Sequence, residues 1–221
     1  MESNVLYNVH VGLETPGDQP PSCVAKDYGY YHYCIDGFND VGWGCGYRTL
    51  QTICSWVHLS VSIEKKPGFT IPSVQEIQRI LINIGDKKDD FFGSKSWIGS
   101  FEVCLVLDQL YDIQSKIVHI RPGCLNVIET EFLKDHFMNF KSPVMMGGDV
   151  DNASKCILGI THNSKLRERE VYLLVLDPHF TTAGETTAKD LQRDGWVSWR
   201  RLSDFDQNSF YNFCLPQVSA I

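Results

Sequence analysis

The sequence predicts an α+β fold in which a helical part is followed by an antiparallel sheet. Two patterns carry this prediction. In the first half of the 221-residue chain, apolar residues recur at helical spacing in three segments, near residues 45–60, 74–84 and 100–111. In the second half, short apolar runs separated by turn residues predict strands, near residues 143–147, 155–160 and 170–177. With 43% hydrophobic residues, the composition is that of an ordinary globular protein.

Upstream of the first helix the sequence predicts little regular structure. Residues 4–11 partly alternate between apolar and polar, which predicts an edge strand. Residues 12–22 hold three prolines and two glycines, which predicts a loop. An aromatic cluster at residues 28–33 leads into a turn at residues 36–37, and residues 65–69 predict a surface loop after the first helix.

The second helix has signals at both ends. Ser73 and Glu76 have the spacing of a capping box, so we expect the serine to precede the first helical residue, and Gly85 to end the helix. Residues 86–95 are charged and then rich in glycine and aromatic residues, which predicts a mobile loop. We hypothesise that residues 86–97 close over the site as a lid.

The second half begins with a predicted strand at residues 116–120, after which Asn126 and Glu129 have the spacing of a helix cap. That helix is predicted to run to about Phe140. The remaining predicted elements are a turn, a strand and a final polar turn with an aromatic segment, at residues 151–152, 195–199 and 201–217.

Charge and composition exclude several classes of protein. The net charge is −7 and no run of Lys or Arg is present, which argues against nucleic-acid binding. There is no C-x-x-C pair and no clustered Cys/His spacing, so we expect neither a metal nor a cofactor. No apolar run approaches the roughly 18 residues of a membrane span.

The eight cysteines do not predict disulfides. The first 15 residues lack the basic and apolar regions of a secretory signal, and several cysteines lie inside apolar runs. We therefore expect free thiols in a soluble, cytoplasmic, monomeric protein. The length predicts a single domain over residues 1–221, with a poorly constrained N-terminal segment at residues 1–27.

Cys45 lies in the segment Gly42-Trp-Gly-Cys-Gly-Tyr-Arg-Thr-Leu-Gln51, at the predicted start of the first helix. The positive end of the helix dipole favours a thiolate there. The flanking glycines leave room for an extended substrate, and the free N–H groups of the first turn can donate to an oxyanion. These are the properties of a cysteine nucleophile. The alternative is a glycine-rich turn followed by a small buried thiol.

Asp177-Pro178-His179 follows a buried apolar run. Side chains at i and i+2 of an extended backbone share a face, and Pro178 keeps Asp177 extended. The pair therefore presents a carboxylate beside an imidazole, directly or through a small bend, and the imidazole could take the proton of Cys45. The alternative is a turn with a surface histidine. Among the other histidines only His32, in the aromatic cluster, is a serious rival.

Taken together, the segments Gly42–Gln51 and Asp177–His179 resemble the ubiquitin-fold modifier 1-specific peptidases. These are papain-like cysteine proteases, distantly similar to the autophagins. The resemblance covers about residues 28–216, and further family-like segments are found at residues 97–99 and 146–149. Long relatives carry an N-terminal extension, and we expect this chain to be the short form.

The resemblance implies a role for each residue that matches. Cys45 is the nucleophile, His179 the general base and Asp177 the acid that orients it. Tyr33 donates its hydroxyl to the oxyanion hole, which is physically reasonable because a phenol and a backbone N–H could hold the negative charge of a tetrahedral intermediate. The alternative for Tyr33 is one more aromatic residue in the core, and Tyr31 is a nearby competitor.

The resemblance also implies a substrate, ubiquitin-fold modifier 1. The enzyme would cleave after the modifier's C-terminal glycine, to mature a precursor, to release conjugated proteins, or both. A glycine terminus enters a groove too narrow for bulky side chains, and Trp43 and Trp97 are candidates for its walls, each with a core position as the alternative. Residues 146–149 predict a glycine turn, either beside the site or at an ordinary strand end.

Two other functions remain open at this stage. One is a catalytically silent module that binds the modifier without cutting it. The other is an autophagin-like peptidase that acts on another ubiquitin-like modifier.

Overall fold

The computed structural model describes residues 5–25, 27–61, 70–126, 130–150, 153–164, 170–182 and 184–219. Over these residues the chain forms five α-helices and nine strands. The helices are α1 (Cys45–Ser60), α2 (Val74–Asn83), α3 (Ser100–Tyr111), α4 (Glu131–Asn139) and α5 (Ala188–Arg193). The strands are β1 (Leu6–Tyr7), β2 (Ser22–Cys23), β3 (Gly29–Tyr30), β4 (Ser115–Ile120), β5 (Val144–Gly148), β6 (Ser154–Asn163), β7 (Glu170–Leu176), β8 (Val197–Arg201) and β9 (Tyr211–Pro216).

Seven strands form one sheet with the order β4-β9-β5-β6-β7-β8, and β2 pairs with β6. Every pairing in this sheet is antiparallel, so the predicted α+β class is confirmed. β1 and β3 form a separate two-stranded ribbon. β6 and β7 are buried along almost their whole length, so both faces of these two strands are covered.

The sheet separates two layers of core. On one face α1, α2 and α3 pack around Trp56 and Leu81, together with Met145 of β5. On the other face α4 contributes Leu133, which packs with Val144 of the same strand. Val144 and Met145 are neighbours in sequence, so their assignment to different layers follows the alternation of side chains along a strand.

Both ends of the second helix agree with the sequence. Ser73 caps α2: its hydroxyl accepts the Glu76 N–H at 3.2 Å, and the Glu76 carboxylate accepts the Ser73 N–H at 2.7 Å. Gly85 follows with φ of +81°, a left-handed conformation that favours glycine. The predicted capping box is therefore confirmed. Among the described helices, none combines the length and apolar character needed to cross a membrane.

The N-terminal segment differs from the prediction in two ways. Its strand is limited to β1, because Asn8 adopts a left-handed φ of 53° and its side-chain oxygen accepts the Tyr28 N–H at 3.2 Å. The segment is also anchored more firmly than expected over residues 5–25. The Val24 N–H donates to the Leu158 carbonyl at 2.7 Å, and the Trp56 indole donates to the Ala25 carbonyl at 2.7 Å.

Two helices also differ. α4 begins at Glu131, later than predicted. α5 has no counterpart in the prediction, although Thr187 and Asp190 form a capping box in which aspartate takes the usual place of glutamate. Three predicted features lie outside the described residues: the Glu129 cap, the turn at residues 151–152 and the loop at residues 65–69.

Candidate active site

Cys45 is the first residue of α1, and no side chain caps the helix there. The N–H groups of the first turn therefore keep their donor capacity, and the helix dipole places partial positive charge at the thiol. The side chain is buried, with 7% of the residue's surface exposed. The predicted position of the cysteine, at the N-terminus of a helix, is what the structure shows.

The two glycines that flank Cys45 are required by the protein's own packing. A Cβ atom on Gly44 would lie 2.0 Å from Oδ2 of Asp40, and one on Gly46 would lie 2.4 Å from the carbonyl oxygen of Ile98. The space beside each glycine is therefore filled by the protein. The prediction that these glycines leave room for a substrate is therefore wrong.

Asp177 and His179 are brought together by a turn. β7 ends one residue earlier, and the Asp177 N–H donates to the Trp196 carbonyl at 2.8 Å. Oδ1 of Asp177 then accepts both the backbone N–H of His179, at 3.1 Å, and Nδ1 of its ring, at 2.5 Å. The small bend is the arrangement found, and it fixes the carboxylate against the ring nitrogen that faces away from the thiol.

The Cys45 thiol and the His179 ring lie close enough to shift each other's pKa. Burial raises the pKa of Cys45, but hydrogen bonds from His179 and Ser154 and the charge of His179 lower it below its usual value overall. Burial lowers the pKa of His179, but its contacts with Asp177 and Cys45 raise it to about 9. Both shifts favour a thiolate–imidazolium pair at neutral pH.

Tyr33 lies against both members of this pair. Its hydroxyl interacts electrostatically with Cys45, and its ring stands edge-on to the His179 ring with centroids 5.2 Å apart. Burial, followed by the proximity of Cys45, raises the pKa of Tyr33, so the phenol remains a donor. The competitor Tyr31 interacts instead with Tyr7 and Cys54.

His32, the rival histidine, has another role in the structure. Its Nδ1 lies 2.9 Å from the Tyr33 carbonyl oxygen, and its ring packs edge-on against Phe180 with centroids 5.0 Å apart. Burial lowers the pKa of His32, whereas a general base paired with a thiolate needs the opposite shift. Of the two histidines, His179 is therefore the one that interacts with the Cys45 thiol.

Comparison with known families agrees with this arrangement. The family model described as Peptidase family C78 matches residues 20–214. The chain belongs to peptidase family C78. The matched range includes Cys45, Asp177 and His179 as well as Tyr33.

Individual members of family C78 are similar over almost the whole chain. Ufm1-specific protease 1 of Mus musculus is 41% identical over 219 residues, which cover 96% of this chain and 94% of the mouse protein. Ufm1-specific protease 2 of Homo sapiens is 42% identical over 220 residues, 96% of this chain and 44% of the human protein. The sequence resemblance is therefore confirmed at the level of the family.

A solved member of the family shares the fold. The crystal structure of UfSP from C. elegans superimposes with a TM-score of 0.80 at 33% identity, and the match covers 98% of this chain and 38% of that chain. The predicted papain-like fold is thus confirmed. The C78 chain spans nearly all of the mouse relative but less than half of the human and worm proteins.

A cavity of about 210 Å³ opens beside the thiol of this C78 peptidase. Cys45 lines it, together with Trp97, the glycines Gly147 and Gly148 of β5, and Ser154 at the start of β6. Trp97 is 54% exposed, so it stands at the wall of the cavity with one side in solvent. The prediction of a glycine turn at residues 146–149 is wrong for Met146–Gly148, which pair within β5, but Gly147 and Gly148 do lie beside the site.

Trp43 does not line this cavity. It is buried, and its ring packs edge-on against Phe38 and Tyr47, with centroid distances of 5.9 and 5.6 Å. The prediction of Trp43 as a groove wall is therefore wrong for this cavity, and the core alternative describes its position. One of these neighbours, Tyr47, lies in the first turn of α1.

Two contacts in the C78 site were not predicted from the sequence. Arg200 of β8 donates to Oδ2 of Asp177 at 3.1 Å, so both carboxylate oxygens are held. Ser154 lines the same cavity as Cys45, and its backbone and hydroxyl lower the pKa of the thiol. Each residue reaches the site through strand pairing, and no motif in the sequence marks either one.

The segment predicted to act as a lid is tied to the helices beneath it. The Gln78 side chain accepts the Gly93 N–H and donates to the Ser94 carbonyl, each at 2.9 Å. The Tyr47 hydroxyl donates to the Ser96 carbonyl at 2.9 Å. Closure of residues 86–97 stays a prediction.

In the part of the chain that the structure describes, no group of three or more acidic, histidine or cysteine side chains could hold a metal ion.

Proposed function

We propose that this chain is a thiol-dependent peptidase and isopeptidase that cleaves after the C-terminal glycine of ubiquitin-fold modifier 1. Its reactions are maturation of the precursor, release of conjugated proteins, or both. The observation that carries the chemistry is the chain of contacts from Asp177 through His179 to Cys45, with the Tyr33 hydroxyl at the sulfur. The mouse and human relatives, both named Ufm1-specific proteases, support the choice of modifier.

The first half of the reaction forms a thioester. The Cys45 thiolate attacks the carbonyl carbon of the modifier's terminal glycine, and negative charge develops on the carbonyl oxygen. The backbone N–H of Cys45 and the hydroxyl of Tyr33 donate to that oxygen. The carbon–nitrogen bond then breaks, and the imidazolium of His179 gives its proton to the departing amine.

The second half releases the modifier. A water molecule attacks the thioester carbonyl, and neutral His179 takes its proton. The carbon–sulfur bond breaks, the modifier leaves with a C-terminal carboxylate, and the Cys45 thiolate is restored. Asp177 stays ionised throughout, because its contacts with His179 and the charge of Arg200 outweigh burial and hold the pKa of the carboxyl well below its usual range.

The cavity beside Cys45 fits a substrate that ends in glycine. Gly147 and Gly148 line it on one side, and Trp97 on another. A volume of about 210 Å³ accommodates one or two small residues rather than a bulky side chain. We propose that Trp97 contacts the backbone of the modifier's C-terminal residues.

A modifier with a C-terminal electrophile tests this function. Ubiquitin-fold modifier 1 that carries such a group is expected to form a stable adduct at Cys45, which mass spectrometry locates, and the Cys45→Ser variant is expected to form none. Binding of the intact modifier without any adduct would indicate a silent binding module. Equal or faster reaction with another ubiquitin-like modifier would indicate an autophagin-like specificity.

The compartment and the oligomeric state are also proposals. All eight cysteines are free thiols, which supports a reducing compartment such as the cytoplasm. We propose that the peptidase acts there as a monomer. Fractionation of cells that express the tagged chain tests the compartment, and light scattering of the purified protein tests the monomer.

A further inference from the structure

Arg48 is a fully buried charge in the first helix of the site. It lies one turn after Cys45, and its side chain has no exposed surface. Its Nη1 and Nη2 donate to the two carboxylate oxygens of Asp36, each at 2.9 Å. Its Nε and Nη2 donate to those of Asp40, at 2.8 and 3.1 Å. The guanidinium therefore forms two paired interactions at once, which lysine cannot reproduce.

Asp40 connects Arg48 to Cys34, the residue that follows Tyr33. Oδ1 of Asp40 accepts the backbone N–H of Cys34 at 2.9 Å, in addition to its bond from Arg48. Cys34 has a φ of 59°, a left-handed conformation that is unfavourable for a residue with a Cβ atom. Such a conformation persists only where its surroundings hold it.

Tyr33 is also tied on its other side. Its backbone N–H donates to the carbonyl of Pro178 at 3.0 Å, between the acid and the base of the site. The backbone of Tyr33-Cys34 is therefore hydrogen-bonded at both residues. Tyr33 binds the Asp177–His179 turn, and Cys34 binds Asp40, the partner of Arg48.

Stability alone does not account for this cluster. A buried ion pair contributes little compared with well-packed apolar residues, because both partners lose their hydration. Here one guanidinium faces two carboxylates, and Asp40, like Arg48, has no exposed side-chain surface. What the cluster supplies is a fixed geometry at the backbone next to Tyr33.

We infer that Arg48 is a positioning residue: acting through Asp40 and the left-handed turn at Cys34, it places the Tyr33 hydroxyl at the oxyanion site. This inference rests on the proposed peptidase function. It assigns Arg48 no contact with the substrate and no proton transfer. Loss of Arg48 is therefore expected to harm the same step as loss of the Tyr33 hydroxyl, and to spare the reactivity of the thiol.

A double-mutant cycle with Arg48→Lys and Tyr33→Phe tests the inference. Arg48→Lys is expected to lower kcat for cleavage of a C-terminal modifier fusion by at least about 10-fold, because displaced groups lose catalytic power steeply. In the Tyr33→Phe background the same change is expected to lower kcat by less than about 3-fold, since the hydroxyl it positions is absent. Equal effects in both backgrounds would overturn the inference.

Alkylation by iodoacetamide separates positioning from general damage. This reaction needs the thiolate but no oxyanion donor, so its rate at Cys45 in Arg48→Lys is expected to stay within about twofold of wild type. A loss of alkylation equal to the loss of kcat would show that Arg48 acts on the nucleophile or on the fold. Leu133→Ala, a core truncation on the far face of the sheet, is the control for a loss of stability that leaves kcat intact.

Crystal structures of the wild type and Arg48→Lys decide the inference without any turnover. In the variant the Tyr33 hydroxyl is expected to lie beyond hydrogen-bond reach of the Cys45 sulfur, while α1 is unchanged. An unmoved hydroxyl would overturn the inference, whereas a wild type that cleaves no modifier would overturn the proposed function alone. If Arg48→Lys does not fold, Asp40→Ala, which removes the acceptor shared by Arg48 and Cys34, is tested in the same cycle with the same criteria.

Discussion

The ring of Tyr33 stands edge-on against the imidazole of His179, and the same side chain lies close enough to Cys45 for the thiol to raise the pKa of the Tyr33 hydroxyl. One tyrosine therefore contacts both members of the thiol–imidazole pair, with a different part of the side chain for each. Mutation can separate the two contacts, because phenylalanine keeps the ring and removes only the donor.

Tyr33→Phe is expected to lower kcat for cleavage of a modifier fusion by on the order of 10²-fold, the usual effect of removing one oxyanion donor. KM is expected to stay within about twofold of wild type, because the hydroxyl acts mainly in the transition state. Steady-state kinetics measure both. Tyr31→Phe, which removes a hydroxyl from a neighbour outside the site, is the matched control. A Tyr33→Phe enzyme with wild-type kcat would exclude Tyr33 from the oxyanion site.

The pH dependence of kcat/KM is expected to be bell-shaped. As the pH falls through the lowered pKa of Cys45, the thiolate is protonated and activity is lost. As the pH rises through about 9, His179 loses the proton that the leaving amine requires, and activity is lost again. Because the two groups interact, both limbs belong to the pair rather than to either residue. A pH–rate profile of the wild type locates both limbs.

Asp177→Asn is expected to move the alkaline limb. The carboxylate contact raises the pKa of His179, so an amide in its place lets that pKa fall and the limb shifts to lower pH. The same pH–rate measurement reports the shift. An alkaline limb that stayed at the wild-type position would show that Asp177 does not set the charge of the imidazole.

Arg200→Met removes the second partner of the acid. Arg200 holds Oδ2 of Asp177 at 3.1 Å, and its side chain is 29% exposed. A hydrogen bond between charged groups at such a partly exposed position contributes about 1 kcal/mol, so we expect kcat to fall roughly fivefold. The neighbouring Arg201→Met is the matched control, since Arg201 pairs with Glu170 and is 56% exposed. Equal kinetics for the two variants would contradict a role for Arg200.

Local signals in the sequence were sufficient for the cap of α2 and for the position of Cys45 at the start of α1. A capping box or a glycine acts through residues three or four positions away, so Ser73, Gly85 and Cys45 could be interpreted without the fold. The pairing of Asp177 with His179 could also be predicted, because the two residues are only two positions apart. Their contact, however, is made by a turn rather than by an extended strand.

Contacts made through the sheet could not be predicted in the same way. Arg200 meets Asp177 only because β8 pairs with β7, and Ser154 meets Cys45 only because β6 passes the start of α1. Register and packing are properties of the folded chain. The same limit applies to Trp43 and Trp97. They are the same residue type, and only their surroundings in the fold show that Trp43 is buried and Trp97 is exposed.

Trp97→Ala is expected to impair substrate binding, whereas Trp43→Ala is expected to lower stability. Trp97 is half exposed at the wall of the cavity, so its truncation is expected to raise KM for the modifier fusion by roughly 10-fold with little change in stability. Trp43 is buried against aromatic neighbours, and its truncation is expected to lower the free energy of unfolding by about 3–5 kcal/mol. Denaturant titration and steady-state kinetics on both variants measure the four quantities. A Trp43→Ala protein with normal stability and a raised KM would indicate that Trp43 contacts the substrate. A Trp97→Ala protein with an unchanged KM would show that Trp97 does not contribute to substrate binding.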